Sequence, residues 1–255
     1  MFTPRYLALF CALASGVAFA SDGTRLLRQP DISASHLAFV YGGDIWLSDK
    51  SGQNPRQLTS HPADEFAPKF SPDGNWIAFS ASYDNNTDVY IMPVAGGTPT
   101  RLTYHPGADT VNGWSPDGKS VLFASNREIA NSRSNQLYKI SIDGGYPEKL
   151  MQAVAFEGDL HPNGKKLAYR PNNMAYSGAS GWRLHRGGST PPVWIIDLEK
   201  QQLEKIPHPN ANEFNPFWLD NTVYFLSDRD NTAVNLFRYR DQQVEQLTQN
   251  QDWDL

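Results

Sequence analysis

"KFSPDGNWIAFSA", residues 69–81, recurs closely as "GWSPDGKSVLFAS", residues 113–125. Each copy places a Ser-Pro-Asp-Gly turn before a short apolar run, and weaker forms of the turn are "HPNG" at His161 and "WLDN" at Trp218. Proline presets φ, aspartate bonds the turn backbone and glycine accepts a positive φ, so the motif predicts a tight turn that leads into a β-strand. A turn and a strand written several times in one chain predict a repeat architecture.

The second half of each copy gives the period. A further strand begins at Asp44, Asp88, Gln136, Val193 and Asn235, and "RQLT", "TRLT", "EKLM", "LEKI" and "EQLT" follow at Arg56, Thr100, Glu148, Leu203 and Glu245. A period of roughly 40–50 residues with about four short strands is typical of a β-propeller. A β-sandwich with evenly spaced strands is the alternative. The repeated order of turn, strands and ending, which is Leu-Thr in three of the five copies, favours the propeller.

We therefore predict an all-β fold, a β-propeller of four-stranded blades with five repeats present and a sixth cut short. The predicted blades are residues 24–60, 61–104, 105–151, 152–206 and 207–248, and the next repeat starts at 249–255. Because the chain stops inside a repeat, we expect it to be part of a longer protein. A five-bladed ring that closes on itself is the alternative.

The first twenty residues have the layout of a secretory signal. Arg5 precedes an apolar run over residues 6–14, and Ala18-Phe19-Ala20 forms a small-x-small cleavage site. We predict cleavage after Ala20, which leaves residues 21–255 as the propeller domain; a retained anchor is the alternative. The apolar run is short for a bilayer span, which needs about 20 residues.

The amino-acid composition limits the cellular locations and the classes of partner that we expect for this protein. Cys11 is the only cysteine and lies in the predicted leader, so the mature chain has no disulfide and no thiolate ligand. An exported protein without cysteines fits a bacterial periplasm, and we predict that location. The formal net charge of −5 argues against general nucleic-acid binding. We expect peptides or envelope proteins as partners and no stable membrane span after cleavage.

Several stretches together resemble the N-terminal propeller of tricorn-type proteases. The most specific are "WRLHRGG" (residues 182–188), which precedes the strand "VWIIDL", and "VYFLSDRDN" (residues 223–231). The resemblance covers nearly all of residues 29–255 and is shared in part with TolB-like propellers. It implies a large serine peptidase that begins with a six-bladed propeller, while the catalytic serine and histidine lie in a distal part of the protein.

The residues themselves carry no recognisable catalytic motif. No Gly-x-Ser-x-Gly elbow and no His-x-x-x-His or His-Glu-x-x-His pair occurs, so we predict no catalytic residue, metal or cofactor in this chain. The candidate substrate-binding residues are Arg183, His185 and Arg186, a basic lip that would hold peptide carboxylates. A tight, structurally packed blade loop is the alternative interpretation of the same residues.

The sequence leaves three functions open. The first is the propeller portion of an exported tricorn-like serine peptidase, which handles peptide substrates or products. The second is a stand-alone TolB-like periplasmic propeller that binds another protein. The third is the propeller of an exported amidohydrolase, because such repeats also precede amidohydrolase domains.

Overall fold

The structure is a computed structural model that describes residues 26–129, 134–173, 190–230 and 233–251. Within these ranges the chain forms twenty β-strands and no helix, and therefore no helix that could cross a membrane. Each set of four consecutive strands forms one antiparallel sheet. The prediction of an all-β propeller with five four-stranded blades is confirmed.

Each blade contains four strands that follow one another in the chain. Blade 1 holds β1 (Arg28–Ile32), β2 (His36–Tyr41), β3 (Asp44–Asp49) and β4 (Arg56–Gln57). Blade 2 holds β5 (Glu65–Phe70), β6 (Trp76–Ala81), β7 (Asp88–Pro93) and β8 (Thr100–Arg101). Blade 3 holds β9 (Asp109–Trp114), β10 (Ser120–Ser125), β11 (Gln136–Ser141) and β12 (Glu148–Lys149). Blade 4 holds β13 (Glu157–Leu160), β14 (Lys166–Arg170), β15 (Trp194–Asp197) and β16 (Gln202–Lys205). Blade 5 holds β17 (Glu213–Leu219), β18 (Thr222–Ser227), β19 (Asn235–Arg240) and β20 (Gln243–Gln246).

The repeated Ser-Pro-Asp-Gly turn joins the first two strands of a blade. In blade 2 the Ser71 hydroxyl donates to Asp73 Oδ1 (2.5 Å) and accepts from the Trp76 amide (3.0 Å). Gly74 has φ 72°, a left-handed conformation that costs glycine no Cβ contact. The turn in blade 3 repeats these serine bonds at Ser115, with Asp117 Oδ1 at 2.6 Å. The motif recurs because each residue type meets a separate need of the same hairpin.

The first strands of the blades surround the propeller axis. Each is the edge strand of its sheet, and the pairs β1–β5, β5–β9, β9–β13 and β13–β17 are in contact. Four of them carry a register irregularity, at which the strand bulges and the backbone amides turn away from the ladder. Side chains and amides of neighbouring blades therefore meet at the axis.

Four hydrophobic cores join successive blades. Their largest buried side chains alternate along the second and third strands, as a sheet covered on both faces requires. Ile45 and Phe79 lie between blades 1 and 2, and Val121 lies between blades 2 and 3. Leu167 lies between blades 3 and 4, and Phe225 lies between blades 4 and 5. Most of the buried hydrophobic residues belong to these four cores.

Two blade faces lack such a core among the described residues. Phe39 pairs with Trp46 on the face of blade 1 that points away from blade 2, and both side chains are half-buried. On the face of blade 5 that points away from blade 4, Tyr224 and Leu226 are half-buried as well. No cluster of buried residues joins blade 5 to blade 1 in the described ranges.

Candidate functional site at the propeller axis

The three candidate substrate-binding residues lie in the connection between β14 and β15. Arg183, His185 and Arg186 all fall within residues 174–189, outside the described residues, as does the predicted cleavage site at Ala20. Their roles therefore stay predictions. The described flank of this connection is held in place, since the Thr190 hydroxyl donates to Asn210 Oδ1 (2.6 Å).

One position of the first strand brings chemically distinct residues to the axis. It lies one residue before the end of the paired segment in blades 1 to 4 and two residues before it in blade 5, opposite Ala38, Ala78, Leu122, Ala168 and Tyr224. The residues at this position, in blade order, are Asp31, Lys69, Gly113, Asp159 and Phe217. We call Asp31, Lys69 and Asp159 the axial cluster.

The carboxylates of the axial cluster connect blades. The Phe70 amide donates to Asp31 Oδ2 (2.8 Å), and Lys69 Nζ lies 3.4 Å from Asp31 Oδ1. In the same way the Trp218 amide donates to Asp159 Oδ2 (2.7 Å). Each aspartate thus bonds the first strand of the following blade, at an amide on the free edge of that strand.

Burial sets the electrostatics of the cluster. It raises the pKa of Asp159 to about 6, although the Trp218 amide and the Lys69 ammonium oppose this effect, and the charge of Asp31 adds to it. Burial also raises the pKa of Asp31, against the opposing charge of Lys69. One lysine thus faces two carboxyl groups, so the cluster carries one uncompensated negative charge when both aspartates are ionised.

A second layer of inter-blade bonds lies two residues earlier on the first strands. Gln29 Oε1 accepts from the Ala67 amide (2.8 Å), and Glu157 Oε2 accepts from the Asn215 amide (2.8 Å). Gln29, Ala67 and Asn215 all have positive φ, between 50° and 52°. The left-handed residue turns the amide of one blade toward a side-chain oxygen of the preceding blade.

Buried carboxylates at the starts of the first strands form a third group. Asp109 and Glu213 have no solvent exposure, and each pairs with an arginine that follows the second strand. Arg127 Nη2 lies 2.7 Å from Asp109 Oδ2, and Arg229 Nη2 contacts Glu213 Oε1. Burial raises the pKa of Glu213, and Arg229 opposes that effect. These pairs join the first and second strands of one blade, and a structural role is sufficient to explain them.

The described residues contain no assembled catalytic or metal centre. No group of three or more His, Cys, Asp or Glu side chains in the described ranges is arranged to hold a metal ion. Ser35 Oγ lies 2.8 Å from His36 Nδ1, but the two are neighbours on an exposed turn, and no carboxylate bonds His36 there. The axis presents charged and hydrogen-bonding groups from several blades.

Sequence reasoning missed the axial cluster. Asp31, Lys69 and Asp159 are far apart in the chain, and each looks like an ordinary polar residue before a turn. The signal that identifies them is the position itself, one residue before the final paired residue of their first strands. That position becomes visible only when the bulges that shift the register are known.

Comparisons with known proteins agree with this architecture. Tricorn protease homolog 1 of Streptomyces coelicolor is 28% identical over 214 residues, which cover 82% of this chain and 19% of that protein. The crystal structure of the tricorn protease superposes with a TM-score of 0.74 at 24% identity, over 90% of this chain and 23% of that one. A putative TolB from Agrobacterium tumefaciens superposes with a TM-score of 0.70 at 21% identity, over 88% of this chain and 80% of that one.

The structural likenesses, at these identities, show the fold alone. The chain spans about a fifth of the length of the curated tricorn relatives that it matches (19%). The profile of the tricorn protease N-terminal β-propeller domain matches residues 24–255, nearly the whole chain, so the chain belongs to this domain family.

Proposed function

We propose that this chain is the propeller portion of an exported tricorn-like serine peptidase and that it contacts peptide substrates or products. The observation that carries the proposal is the family match over residues 24–255. The catalytic serine and histidine belong to a part of the protein outside these residues. The propeller contributes recognition, through the charged axis and the connection between β14 and β15.

A sixth blade is part of this proposal. The outward faces of blades 1 and 5 carry half-buried aromatic and aliphatic residues, whereas the other blade faces of the described chain are covered by a core. The segment after "QLT" at Gln246 also begins like the segment after "QLT" at Gln57. A further four-stranded blade between these faces would cover both and remove their exposed apolar surface.

Export is a further part of the proposal. The leader at residues 1–20 directs the chain across a membrane, cleavage follows Ala20, and the periplasm is the destination. Edman sequencing of the protein from its source cells tests this step. An N-terminus at Ser21 is expected, and an intact Met1 would contradict it.

The peptidase assignment is tested in source cells with an antibody against the propeller and an active-site serine probe. We expect both reagents to label one polypeptide longer than 255 residues. Labelling by the antibody alone, at the size of this chain, would contradict the peptidase proposal and favour the TolB-like binding propeller. That second candidate rests on the TolB superposition, which covers 80% of the TolB chain.

Peptide recognition is tested separately by fluorescence anisotropy with labelled peptides. Charge-assisted bonds to a peptide carboxylate should make a free C-terminus bind about tenfold or more tightly than an amidated one. Arg183→Ala combined with Arg186→Ala should abolish this preference. Arg240→Ala is the matched control, since its side chain is exposed and lies beside Asp241.

Two results would overturn the recognition proposal. One is equal binding of the free and amidated peptides by the unaltered protein. The other is a preference that survives in the double variant and falls in Arg240→Ala.

A further inference from the structure

Three blades share one arrangement at the start of the first strand. Glu65, Asp109 and Glu213 pair with Ala81, Ser125 and Ser227, respectively, and all three carboxyl groups are buried. Two residues after each of those partners the chain places Tyr83, Arg127 and Arg229. The three acids, and the three residues that face them, therefore occupy equivalent positions.

An aromatic pair lies below each of these facing residues. Phe123 stacks on Tyr138 with centroids 5.7 Å apart, and the guanidinium of Arg127 lies 5.0 Å and 5.1 Å from the two ring centroids. In blade 5 the guanidinium of Arg229 lies 5.2 Å from Phe225 and from Phe237. The arginine thus binds the acid and covers the rings at the same time.

Blade 2 departs from this arrangement at one position. Tyr83 stands where blades 3 and 5 have arginine, and its ring lies 4.7 Å from Tyr90. Its hydroxyl donates to Glu65 Oε1 (2.5 Å), and the Thr59 hydroxyl donates to Glu65 Oε2. Glu65 therefore keeps the position and burial of the other acids but receives neutral donors in place of a cation.

No cation bonds Glu65 among the described residues. The titratable groups around it are Asp44 at the start of β3, Tyr83 after β6 and Tyr90 on β7, while His61 stacks on Tyr83 at 4.2 Å. Arg127 and Arg101 are committed to Asp109 and Asp88, respectively. Burial raises the pKa of Glu65, the Thr59 and Tyr83 hydroxyls oppose this effect, and the charge of Asp44 adds to it.

Glu65 also connects two blades. Thr59 belongs to the end of blade 1, and its hydroxyl accepts from the Ile45 amide (2.8 Å) on β3. The Glu65 amide donates to the Gly43 carbonyl (2.8 Å) in the turn of the same blade. Tyr83 belongs to blade 2. The chain Ile45–Thr59–Glu65–Tyr83 is therefore a hydrogen-bonded joint between the blades.

We propose that the Thr59–Glu65–Tyr83 joint is a proton-sensitive latch that holds blades 1 and 2 tightly when Glu65 is neutral and loosens when Glu65 ionises. Neutral Glu65 leaves no buried charge: one of its oxygens still accepts from a hydroxyl, and its own proton is donated to the oxygen of the other hydroxyl, which then no longer donates to Glu65. Ionised Glu65 is a buried carboxylate without a counter-ion, which is costly. In the joints of blades 3 and 5 the ionised acid faces an arginine, which stays charged at every accessible pH and compensates the buried charge.

The direction of the effect follows from proton linkage. The folded state holds the Glu65 proton to a higher pH than the unfolded state, so the joint gains stability below the folded pKa and loses it as the pH rises through that value. The latch is therefore tighter in acid than at neutral pH. The latch lies on the face of the propeller where the second strand of each blade terminates. The β14–β15 connection starts on the same face.

Hydrogen exchange of the Ile45 and Glu65 amides, followed from about pH 5 to about pH 8, tests the latch. After correction for intrinsic exchange, protection in the unaltered protein should fall as the pH rises. The expected fall is about tenfold for each unit by which the folded pKa exceeds the unfolded one. Glu65→Gln should abolish the fall, because glutamine bonds the same partners and does not titrate.

The comparison of the blades suggests two reciprocal substitutions. Tyr83→Arg should flatten the pH response at the blade 1–2 joint, and Arg127→Tyr should create one at Asp109. Unchanged protection across pH in the unaltered protein would overturn the latch, and so would a fall of equal size in Glu65→Gln. If Tyr83→Arg does not fold, Glu65→Gln alone decides, since it preserves shape and hydrogen bonding.

Discussion

The threonine of the repeated Leu-Thr ending uses both functions of its hydroxyl. Thr103 Oγ1 accepts from the Val89 amide (3.0 Å) and donates to Asp88 Oδ1 (3.1 Å). Thr59 and Thr248 accept from the equivalent amides of blades 1 and 5 and donate to Glu65 and Asn235. The hydroxyl therefore ties the end of a blade to its third strand, where an apolar residue of the same size would leave two buried groups unbonded.

Thr103→Val should lower the free energy of unfolding by about 1–3 kcal/mol, because the buried Val89 amide and Asp88 oxygen each lose a partner. Chemical denaturation measures the change. Tyr104→Phe is the neighbouring control. Because Tyr104 is 72% exposed, this variant should lose no more than about 0.5 kcal/mol of unfolding free energy. A larger cost for Tyr104→Phe than for Thr103→Val would contradict the assignment.

Ala67→Gly should stabilise the protein by about 0.5–1 kcal/mol. Ala67 has φ 52°. Its Cβ is strained there by about 1–2 kcal/mol, which exceeds the entropy that glycine loses on folding. Ala78→Gly, on the neighbouring strand with ordinary φ and no exposure, should instead destabilise the protein. Thermal and chemical unfolding of both variants check the opposite signs.

Asp159 should make stability fall as the pH rises from about 4 to about 6. Its pKa of about 6 in the folded state exceeds the ordinary value of 3.8. The folded state therefore holds the proton where the unfolded state has lost it, and ionisation near pH 6 costs stability that is not regained above this window. Asp159→Asn keeps an acceptor for the Trp218 amide, and its free energy of unfolding should fall less over this range.

The opposite pH dependence of stability is expected for Asp73 in the Ser-Pro-Asp-Gly turn. The Ser71 hydroxyl and the Asn75 amide lower the pKa of Asp73, so its contribution is present near neutral pH and is lost in acid. Asp73→Asn should therefore lose stability at neutral pH and approach the unaltered protein as the pH falls. Equal pH profiles for the Asp73 and Asp159 variants would contradict both assignments.

At the scale of the element, the ends of the first and second strands are joined by buried ion pairs. Glu213 begins β17 with no exposure, and Arg229 follows β18 with its side chain 12% exposed. The Val193 amide of blade 4 also donates to Glu213 Oε2 (2.9 Å). One carboxylate therefore ties two strands of blade 5 to the preceding blade, where a simple hairpin would provide only ladder bonds.

Arg229→Met should cost about 3–5 kcal/mol, because it leaves Glu213 as a buried charge without its partner. The double variant Glu213→Gln/Arg229→Met should cost less than Arg229→Met alone, since the charge is gone. Arg238→Met is the exposed control: its pair with Glu245 should contribute no more than about 1 kcal/mol. Equal losses of unfolding free energy for Arg229→Met and Arg238→Met in urea denaturation would contradict a stabilising role of the buried ion pair.

At the scale of the whole molecule, four cores join five blades and leave two apolar faces. Ile32 of blade 1 is 59% exposed and Leu219 of blade 5 is 57% exposed. Both side chains lie on the open faces, because their register partners Leu37 and Thr222 point away from the neighbouring cores. Exposed apolar surface of this kind promotes association.

The chain of 255 residues should therefore self-associate with increasing concentration in sedimentation velocity. Ile32→Ser combined with Leu219→Ser should reduce the association, because it makes both open faces more polar. Tyr146→Ser is the control, since Tyr146 is 97% exposed on an isolated turn of blade 3. Association that responds to Tyr146→Ser and not to the double variant would place the contact elsewhere.

The sequence by itself determined the repeat, the turns and the fold class. Residues such as Asp73 and Gly74 meet local needs of a hairpin, and local needs are visible in a short stretch of sequence. The Leu-Thr ending was equally visible as a pattern, although the two bonds of its hydroxyl were not.

Only the tertiary structure decided which distant residues meet. Asp31 and Lys69 lie on strands whose register is shifted by a bulge, whereas β13 brings Asp159 to the same position without one. A shift of one residue turns a side chain to the other face. Blade 2 has Tyr83 at the position where blades 3 and 5 have an arginine, and this equivalence follows from the strand register, which the sequence does not show. The contacts between blades depend on the conformations of all the turns and strands that separate the contacting residues. No short stretch of sequence is sufficient to predict them.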